Sequence, residues 1–249
     1  MSGRADNHGR IALVTGAARG IGQAIAVRLA ADGHRLALAD LLPPDDTVRA
    51  IESAGGQAAA YSCDLAVDPG GMAARVLADF GRVDVLVNNA GLMGFQEFGS
   101  IGLDEWRRMQ AVNVEAPFQI AQAIAPAMVS HGWGRIINTA SNTFWRPPGP
   151  EFVAYITTKG AIVGFTRALA VALGGHGITV NAIAPGLTRT PGSVAGNTEE
   201  HFTDVRLAQA VKRSTEAADL AGTVSYLASD DAAMVTGQVI RVDGGLVTL

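Results

Sequence analysis

The stretch Thr15-Gly16-Ala17-Ala18-Arg19-Gly20-Ile21-Gly22 decides the fold, because it joins a short apolar run to the start of a helical pattern. Gly16 permits a tight turn, Gly20 lets the backbone approach a pyrophosphate, and Gly22 allows close packing of helix on strand. The free amides at the helix start would face the anion, helped by the helix dipole. A purely structural glycine turn is the alternative. The glycines follow a predicted strand and precede a predicted helix, an order that favours a phosphate-binding loop.

Short apolar runs alternate with longer helical patterns from residue 10 to the end of the chain. This alternation implies crossover connections and a parallel sheet that is covered on both faces. We predict an α/β fold, a single-domain Rossmann-type doubly wound parallel sheet of about seven strands with helices on both faces. The strands are predicted at Ile11–Thr15, Arg35–Asp40, 58–63, 83–88, 135–139, 178–182 and 238–242, and the helices at about 20–31, 45–54, 69–80, 104–130, 152–173 and 216–228.

No repeat, low-complexity tract or linker divides the chain. We therefore predict a flexible N-terminal segment at 1–9 and one dinucleotide-binding and catalytic domain at 10–249. Two loops stand out: 142–151 is rich in proline, and 187–203 is long enough for a mobile lid with Gly192 and Gly196 as hinges.

Composition excludes several classes of protein. The 249 residues are 48% hydrophobic and only 17% charged, unlike a disordered chain. The net charge of -4, with no run of Lys or Arg, argues against a nucleic-acid partner. Cys63 is the single cysteine, the first ten residues lack a signal peptide's apolar core, and no uninterrupted apolar run suits a membrane span. We expect a soluble, cytoplasmic protein.

Asp40 ends the second predicted strand, 18 residues after Gly22. Its carboxylate would accept hydrogen bonds from an adenosine ribose and would repel a 2′-phosphate by on the order of 4 kcal/mol. Arg19 argues the other way, because a basic residue in the glycine loop can meet a 2′-phosphate; a solvated side chain is its alternative interpretation. We predict NAD as the cofactor, with NADP second.

Tyr155 and Lys159 stand four residues apart on one predicted helix and so share a face. A Lys⁺ together with an oxidised nicotinamide would stabilise a phenolate, and the free tyrosine pKa near 10 needs such help. Ser141 lies just past the strand at 135–139, at the sheet edge where ligands bind. Alone, a Tyr-x-x-x-Lys pair is common by chance, and a packing tyrosine is its alternative.

These motifs together resemble the short-chain dehydrogenase/reductase family, over about residues 10–245. The resemblance implies that Ser141 donates a hydrogen bond to the substrate oxygen and that Tyr155 exchanges the proton. It implies that Lys159 binds the nicotinamide ribose and lowers the pKa of Tyr155. The motifs appear in family order as Thr15 to Gly22, Asp64, Asn88-Asn89-Ala90-Gly91, Asn113, Ser141, Tyr155, Lys159, 185–190 and Asp243-Gly244-Gly245.

The same resemblance places further residues at the site. Asn113 would hold a water that links Lys159 to solvent, with a purely structural role in its helix as the alternative. For Asn89 the alternative to lining the cofactor is a tie between neighbouring strands. Leu187 would help hold the nicotinamide carboxamide. The interval from Ser141 to Tyr155 is one residue longer than the commonest family spacing. The predicted cofactor contacts are Gly16, Arg19, Gly20, Ile21, Gly22, Asp40, Asp64, Leu65, Asn89, Ala90, Gly91, Tyr155, Lys159, Pro185, Gly186, Thr188 and Thr190.

The predicted activity is interconversion of a secondary alcohol and a ketone by hydride transfer, with no metal. A small apolar or aryl-bearing substrate is favoured, since some motifs are similar to those of aryl-alcohol or pyridoxal dehydrogenases of the family. A 3-oxoacyl thioester reductase is the alternative of the same class, and a non-catalytic NAD-binding regulator or scaffold is the alternative of another. Candidate substrate contacts are Met93, Asn142, Phe144, Trp145 and Leu187.

The predicted helix at 152–173 is apolar almost all round. A helix on the outside of a sheet buries only one side against its own chain, so the other side is predicted to contact a second subunit. The helix at 104–128 and the apolar end 246–249 are predicted to join such contacts. The family resemblance suggests a homotetramer.

Overall fold

The computed structural model describes residues 9–248, so the segment predicted to be flexible at 1–9 lies, apart from Gly9, outside the described residues. The predicted sheet is confirmed: seven strands form one parallel sheet. A second, two-stranded sheet pairs two-residue strands. The bounds are β1 Ile11–Thr15, β2 Arg35–Asp40, β3 Ala58–Ser62, β4 Val85–Asn88, β5 Gly134–Thr139, β6 Ile178–Pro185, β7 Thr188–Arg189, β8 Thr215–Glu216 and β9 Val239–Val242.

Helices cover both faces of the large sheet. They are α1 Gly20–Ala31, α2 Asp45–Ser53, α3 Pro69–Phe80, α4 Leu103–Gln110, α5 Ala116–His131, α6 Val153–Gly174, α7 Pro191–Gly196, α8 Glu199–Ala208 and α9 Ala217–Ala228. The predicted helix at 104–130 is continuous, with a π-helical turn at Ala111–Glu115 between α4 and α5. The prediction of a loop at 187–203 was wrong, because β7, α7 and the start of α8 occupy it and the proposed hinges, Gly192 and Gly196, lie inside α7.

The core consists of two apolar layers, one on each face of the sheet. Successive side chains of a strand point to opposite faces. Leu13 of β1 accordingly joins the layer beneath α3 and α5, whereas its neighbour Val14 joins the layer beneath α1 and α9. Ile136 and Ile137 of β5 divide in the same way. Burial on both faces explains why the strands read as unbroken apolar runs.

The strand order β3-β2-β1-β4-β5-β6-β9 reverses direction between β1 and β4. In a doubly wound sheet the crevice outside the carboxyl ends of the strands at such a reversal is the ligand site. The glycine loop follows β1, and Asn89 follows β4. The topology therefore brings two of the predicted cofactor segments to the same crevice.

One helix, Pro150–Gly174, is long and apolar enough to cross a membrane by length and hydropathy alone. The core helices of soluble proteins pass the same test, and this one includes α6, which packs on β6 of the sheet. Only a third of its most apolar window is buried within the chain. An apolar surface therefore remains on its outer side.

Candidate active site

The glycine loop has the geometry of a phosphate cradle. Gly16 and Gly20 have φ of 66° and 62°, the left-handed region that favours glycine. The amide of Gly16 donates to the carbonyl of Ala39 over 2.8 Å, which holds the turn against β2. At Gly22, an added Cβ would overlap the carbonyl oxygen of Gly16 and lie 2.6 Å from Nδ2 of Asn89. Only glycine fits there, and the absence of a side chain lets the first turn of α1 pack directly on the loop.

Asn89 holds this loop in place. Its Nδ2 donates to the carbonyl oxygens of Thr15 and Gly16 over 3.0 and 3.2 Å. The Thr15 hydroxyl accepts hydrogen bonds from the amides of Asn89 and Ala90. The tie between neighbouring strands, left open by the sequence, is therefore present. The sequence indicates Thr15 as the first residue of the glycine motif but not that its hydroxyl ties the loop to Asn89 and Ala90.

Asp40 faces the glycine loop from the end of β2. One carboxylate oxygen accepts from the amide of Ala18 over 2.9 Å, and the other accepts from the amide of Leu42 over 3.0 Å. An ionised carboxylate has about four acceptor positions, so two remain for ribose hydroxyls. Arg19 is exposed. Thr47, which the sequence does not indicate as a site residue, donates to the carbonyl of Ala17 over 2.7 Å and so supports the loop.

The residues predicted to contact the adenine follow β3. Leu65 is buried, and Asp64 accepts from the amide of Ala66 over 2.9 Å. The other Asp64 oxygen lies 3.4 Å from a guanidinium nitrogen of Arg108 on α4. Arg108 was not predicted, because nothing in its local sequence distinguishes it from an exposed helix residue.

Ser141, Tyr155 and Lys159 converge at the carboxyl end of β5. The Ser141 hydroxyl lies close enough to Tyr155 to influence its pKa. Nζ of Lys159 donates to the carbonyl of Thr139 over 2.8 Å and lies 5.4 Å from the centre of the Tyr155 ring. Ser141 and Lys159 are buried, whereas part of Tyr155 faces the crevice. Three polar groups able to move a proton thus surround one opening.

Burial dominates the titration of this group. It raises the pKa of Tyr155, and the neighbouring Ser141 hydroxyl opposes that rise. It lowers the pKa of Lys159 from 10.5 to about 8. The expected lowering of the Tyr155 pKa by Lys159 is thus not realised in the chain alone, because removal of water from the phenol has the larger effect. The positive ring of an oxidised nicotinamide, when bound, would supply additional stabilisation of the phenolate.

Asn113 occupies the π-helical turn between α4 and α5. Its Nδ2 donates to the carbonyl of Leu92 over 2.8 Å and to the hydroxyl of Thr158 over 3.0 Å. Its Oδ1 accepts from the amide of Leu92 over 2.7 Å. An added Cβ on Gly91 would lie 3.4 Å from this Oδ1 and 3.6 Å from Nζ of Lys159. The structural reading of Asn113 therefore holds, and one acceptor position on Oδ1 remains for a water.

The predicted substrate contacts fall into two groups. Met93 and Phe144 are exposed, at 46% and 39%, and can contact a substrate. Trp145 instead packs against a buried apolar cluster under β5 and β6 and beneath the guanidinium of Arg241, 5.3 Å away. Asn142 is buried and donates to the Asp243 carboxylate over 3.2 Å. Both have packing partners that the local sequence does not indicate, because the partners lie about 100 residues away in the chain.

The segment after β6 closes the other side of the crevice. Pro185 is buried, Leu187 is half-buried, and the hydroxyl of Thr188 donates to the carbonyl of Gly186 over 3.0 Å. Thr190 caps α7, where its hydroxyl accepts from the amide of Ser193. An added Cβ on Gly20 would lie 3.3 Å from the Thr190 side chain. This capped segment therefore touches the glycine loop directly.

The described residues contain no group of three or more His, Cys, Asp or Glu side chains placed to hold a metal ion. They do fit a nicotinamide dinucleotide. Gly22 lets the start of α1 pack directly on the backbone of the glycine loop, and each Asp40 carboxylate oxygen accepts only one hydrogen bond, which leaves acceptor positions for a ribose. The site has the donors and acceptors that a pyrophosphate and a ribose require.

Comparison with known proteins agrees with this geometry. A family model described as enoyl-(acyl carrier protein) reductase matches residues 16–247. The short-chain reductase protein NovJ of Streptomyces niveus is 40% identical over 245 residues, or 94% of this chain and 93% of its own length. BbsD of Thauera aromatica, a subunit of (2S)-[(R)-hydroxy(phenyl)methyl]succinyl-CoA dehydrogenase, is 36% identical, with 95% and 96% covered.

Among solved structures, a candidate NAD(P)-dependent gluconate 5-dehydrogenase from Beutenbergia cavernae superposes with a TM-score of 0.90. It is 37% identical, with 96% of this chain and 97% of that chain covered, and it holds NADP at low occupancy. Fold and site thus define an oxidoreductase with a Rossmann-type nucleotide-binding sheet. The chain belongs to the short-chain dehydrogenase/reductase family.

Replacement of the buried Lys159 provides a test of its environment. We expect Lys159→Met to abolish turnover but to raise the free energy of unfolding at pH 7 by on the order of 2 kcal/mol, because an ammonium with a lowered pKa is costly to bury. Between about pH 8 and 10.5 the unfolded wild type binds a proton that the folded form lacks, so its stability rises with pH. The advantage of the variant should therefore shrink across that window.

Denaturant unfolding of both cofactor-free proteins at pH 7 and pH 10 measures this difference. A stability gap that is the same at both pH values would contradict the burial of a charged Lys159.

Proposed function

We propose that this protein interconverts a secondary alcohol and a ketone with NAD(P), and that the substrate is small and apolar or aryl-bearing. The observation that carries the proposal is the convergence of Ser141, Tyr155 and Lys159 at one opening beside the glycine loop. A non-catalytic regulator has no use for a buried lysine and a tyrosine paired with a serine, since burying them costs stability.

In the direction of oxidation, Tyr155 takes the alcohol proton at its phenolic oxygen, and Ser141 donates a hydrogen bond to the forming carbonyl oxygen. The carbonyl of Thr139 fixes Lys159, whose ammonium would hold the cofactor ribose and, with the cofactor bound, would help to stabilise the phenolate. Bound NAD(P) would supply acceptance of the hydride at its nicotinamide. Reduction reverses the path of the proton.

NAD is the favoured cofactor within this proposal. Both Asp40 oxygens keep acceptor capacity toward the ribose site, and a 2′-phosphate there would meet a negative charge. Several related structures hold NADP or NADPH, which supports NADP as the alternative cofactor. The expected preference therefore depends on Asp40 outweighing the exposed Arg19.

We expect kcat/KM with NAD to exceed that with NADP by at least about tenfold, which needs only about 1.4 kcal/mol. Asp40→Ser should reduce this preference, whereas Arg19→Ala should increase it. Equal or better activity of the wild type with NADP would show that Arg19 decides the choice.

The apolar side chains around the opening favour an apolar substrate. Met93, Phe95, Phe144 and Val194 are each between 39% and 46% exposed. Burial of an aromatic ring against them would contribute roughly 1.5–3 kcal/mol. BbsD, by its name, acts on an alcohol next to a phenyl group, which supports an aryl-bearing substrate here.

A 3-oxoacyl thioester reductase is the second candidate, and the 35% identity to a 3-oxoacyl-[acyl-carrier-protein] reductase of Staphylococcus epidermidis favours it. An acidic acyl-carrier partner would require free basic side chains beside the opening. Arg189 is instead paired with Glu199 and lies over the ring of Phe202, and Arg146 donates to the carbonyl of Leu246. These contacts leave little basic surface for a carrier protein.

A substrate panel tests the proposal. The protein is mixed with NAD or NADP and with 1-phenylethanol, related alcohols and ketones, or acetoacetyl thioesters, and the absorbance of reduced nicotinamide is followed. We expect turnover of simple secondary alcohols. Activity on the thioester alone would select the second candidate, and activity on nothing would remove both.

The outer side of α6 supports assembly into a homo-oligomer. Val171 is 86% exposed, and Phe118 of α5, packed at 6.3 Å on Phe165, is 49% exposed. Such apolar surface is costly in water and is typical of subunit interfaces.

We expect light scattering to show a dimer or tetramer, and we expect Val171→Lys to shift the oligomer to smaller species. Val67→Lys, at an equally exposed site before α3, is the control. A monomeric wild type would refute the prediction.

A further inference from the structure

The residue two positions after Ser141 makes an unexpected contact. Ser141 is followed by a single 3-10 turn, Asn142–Phe144. The amide of Thr143 donates to Oγ of Ser141 over 3.3 Å, an ordinary local turn contact. The hydroxyl of Thr143 also donates to the same oxygen, over 2.9 Å. This second contact is not required by the turn, since any residue supplies the amide.

We propose that Thr143 is a positioning residue that fills the second acceptor position of the Ser141 hydroxyl and thereby directs the serine proton at the reacting oxygen. The inference rests on the proposed function, which makes Ser141 the donor to that oxygen. A serine hydroxyl has one proton and two lone pairs. The Thr143 amide and hydroxyl occupy both lone pairs, so the proton of Ser141 is free only to donate elsewhere.

The neighbouring Tyr155 is within the influence of this hydroxyl. Ser141 opposes the rise that burial causes in the pKa of Tyr155, the effect that a serine proton turned toward the tyrosine oxygen would have. If the Ser141 proton pointed at Thr143 instead, it could not stabilise either a phenolate or a developing carbonyl oxygen. Thr143 therefore removes the unproductive orientation before the substrate arrives.

The turn that carries Thr143 is held at both ends. On one side Nδ2 of Asn142 donates to the Asp243 carboxylate over 3.2 Å. On the other side Phe144 packs so closely on α6 that an added Cβ on Gly160 would lie 2.9 Å from its ring. Gly160 directly follows Lys159, so the turn and the catalytic helix are fixed to each other. Such support keeps a positioning contact within the tolerance that catalysis needs.

Thr143→Val and Thr143→Ser form a matched pair, because valine keeps the shape without the hydroxyl and serine keeps the hydroxyl. With 1-phenylethanol and NAD, we expect kcat/KM of Thr143→Val to fall about tenfold while the Kd for NAD is unchanged. The pH at which kcat/KM rises should be higher for Thr143→Val than for the wild type. Thr143→Ser should behave as the wild type. Equal kinetics and pH profiles of the two variants would overturn the proposal.

A double-mutant cycle separates positioning from simple packing. In a Ser141→Ala background, Thr143→Val should add less than about a twofold loss, because the group that it orients is gone. A full tenfold loss in that background would show that Thr143 acts by another route.

A measurement without turnover distinguishes this proposal from the proposed function. Ionisation of Tyr155 is followed by tyrosinate absorbance in the NAD complex, with Tyr155→Phe as the blank. We expect the ionisation to move to higher pH in Thr143→Val and to stay in place in Thr143→Ser. If the wild type oxidises no test alcohol but this shift occurs, the proposed substrate class fails and Thr143 retains its role. If the wild type is active without the shift, the role of Thr143 fails alone.

Discussion

Tyr155→Phe is expected to lose at least about 100-fold in turnover, the lower end of the loss for a general acid–base group. The substitution removes the phenolic oxygen that exchanges the proton and keeps the ring that packs in the crevice. The Kd for the dinucleotide should be unchanged, since Lys159 remains fixed by the carbonyl of Thr139. Steady-state kinetics and equilibrium binding of the same preparation measure both quantities.

Tyr226→Phe is the matched control. Tyr226 lies on α9, is 42% exposed, and is remote from the crevice in the described structure. Its loss of a hydroxyl should leave turnover unchanged. Near wild-type activity of Tyr155→Phe would rule out the proton-transfer mechanism.

Gly22→Ala is expected to weaken dinucleotide binding by about 100-fold or more. The new Cβ would overlap the carbonyl oxygen of Gly16 and lie 2.6 Å from Nδ2 of Asn89, so either the loop or the start of α1 must move. A displacement of about 1 Å in a positioned site is enough for a loss of this size. Overpacking should also lower the free energy of unfolding by about 1–3 kcal/mol.

Gly174→Ala is the control for the chemical change itself. Gly174 ends α6, and an added Cβ there meets no atom within 4 Å. Alanine in a helix is favoured over glycine by about 1 kcal/mol, so this variant should be slightly more stable and bind the dinucleotide normally. Titration calorimetry and thermal unfolding compare the two variants. Normal binding by Gly22→Ala would disprove the assignment of the glycine loop as the phosphate cradle.

Much of the fold could be predicted because its strands are buried on both faces. The apolar runs of β1 and β2 coincide with the predicted strands, and the other five differ only at their ends. The segment 187–203 could not be predicted, since α7 and α8 are short and are capped by the side chains of Thr190 and Thr198. Capping residues are equally common in turns, so the local pattern did not distinguish the two.

Within the site, sequence identified the groups that carry chemistry but not the contacts that orient them. The spacing of Tyr155 and Lys159 on one helix, together with the other motifs, indicates these two residues, and the place of Ser141 after a strand indicates the third. The contact of Arg108 with Asp64 and the packing of Trp145 under Arg241 join residues that are far apart in the chain. No local pattern encodes such pairs, because they form only when the crossovers bring the elements together.

The sequence by itself determined the doubly wound sheet and the glycine loop, and it selected Ser141, Tyr155 and Lys159 as candidates for proton transfer, because periodicity and special residue types act over short distances. The tertiary structure decided the protonation and orientation of the site. Burial raises the pKa of Tyr155 and lowers that of Lys159, and the hydroxyl of Thr143 directs Ser141. These properties depend on how much water the surrounding elements exclude, which is settled only when the chain is folded.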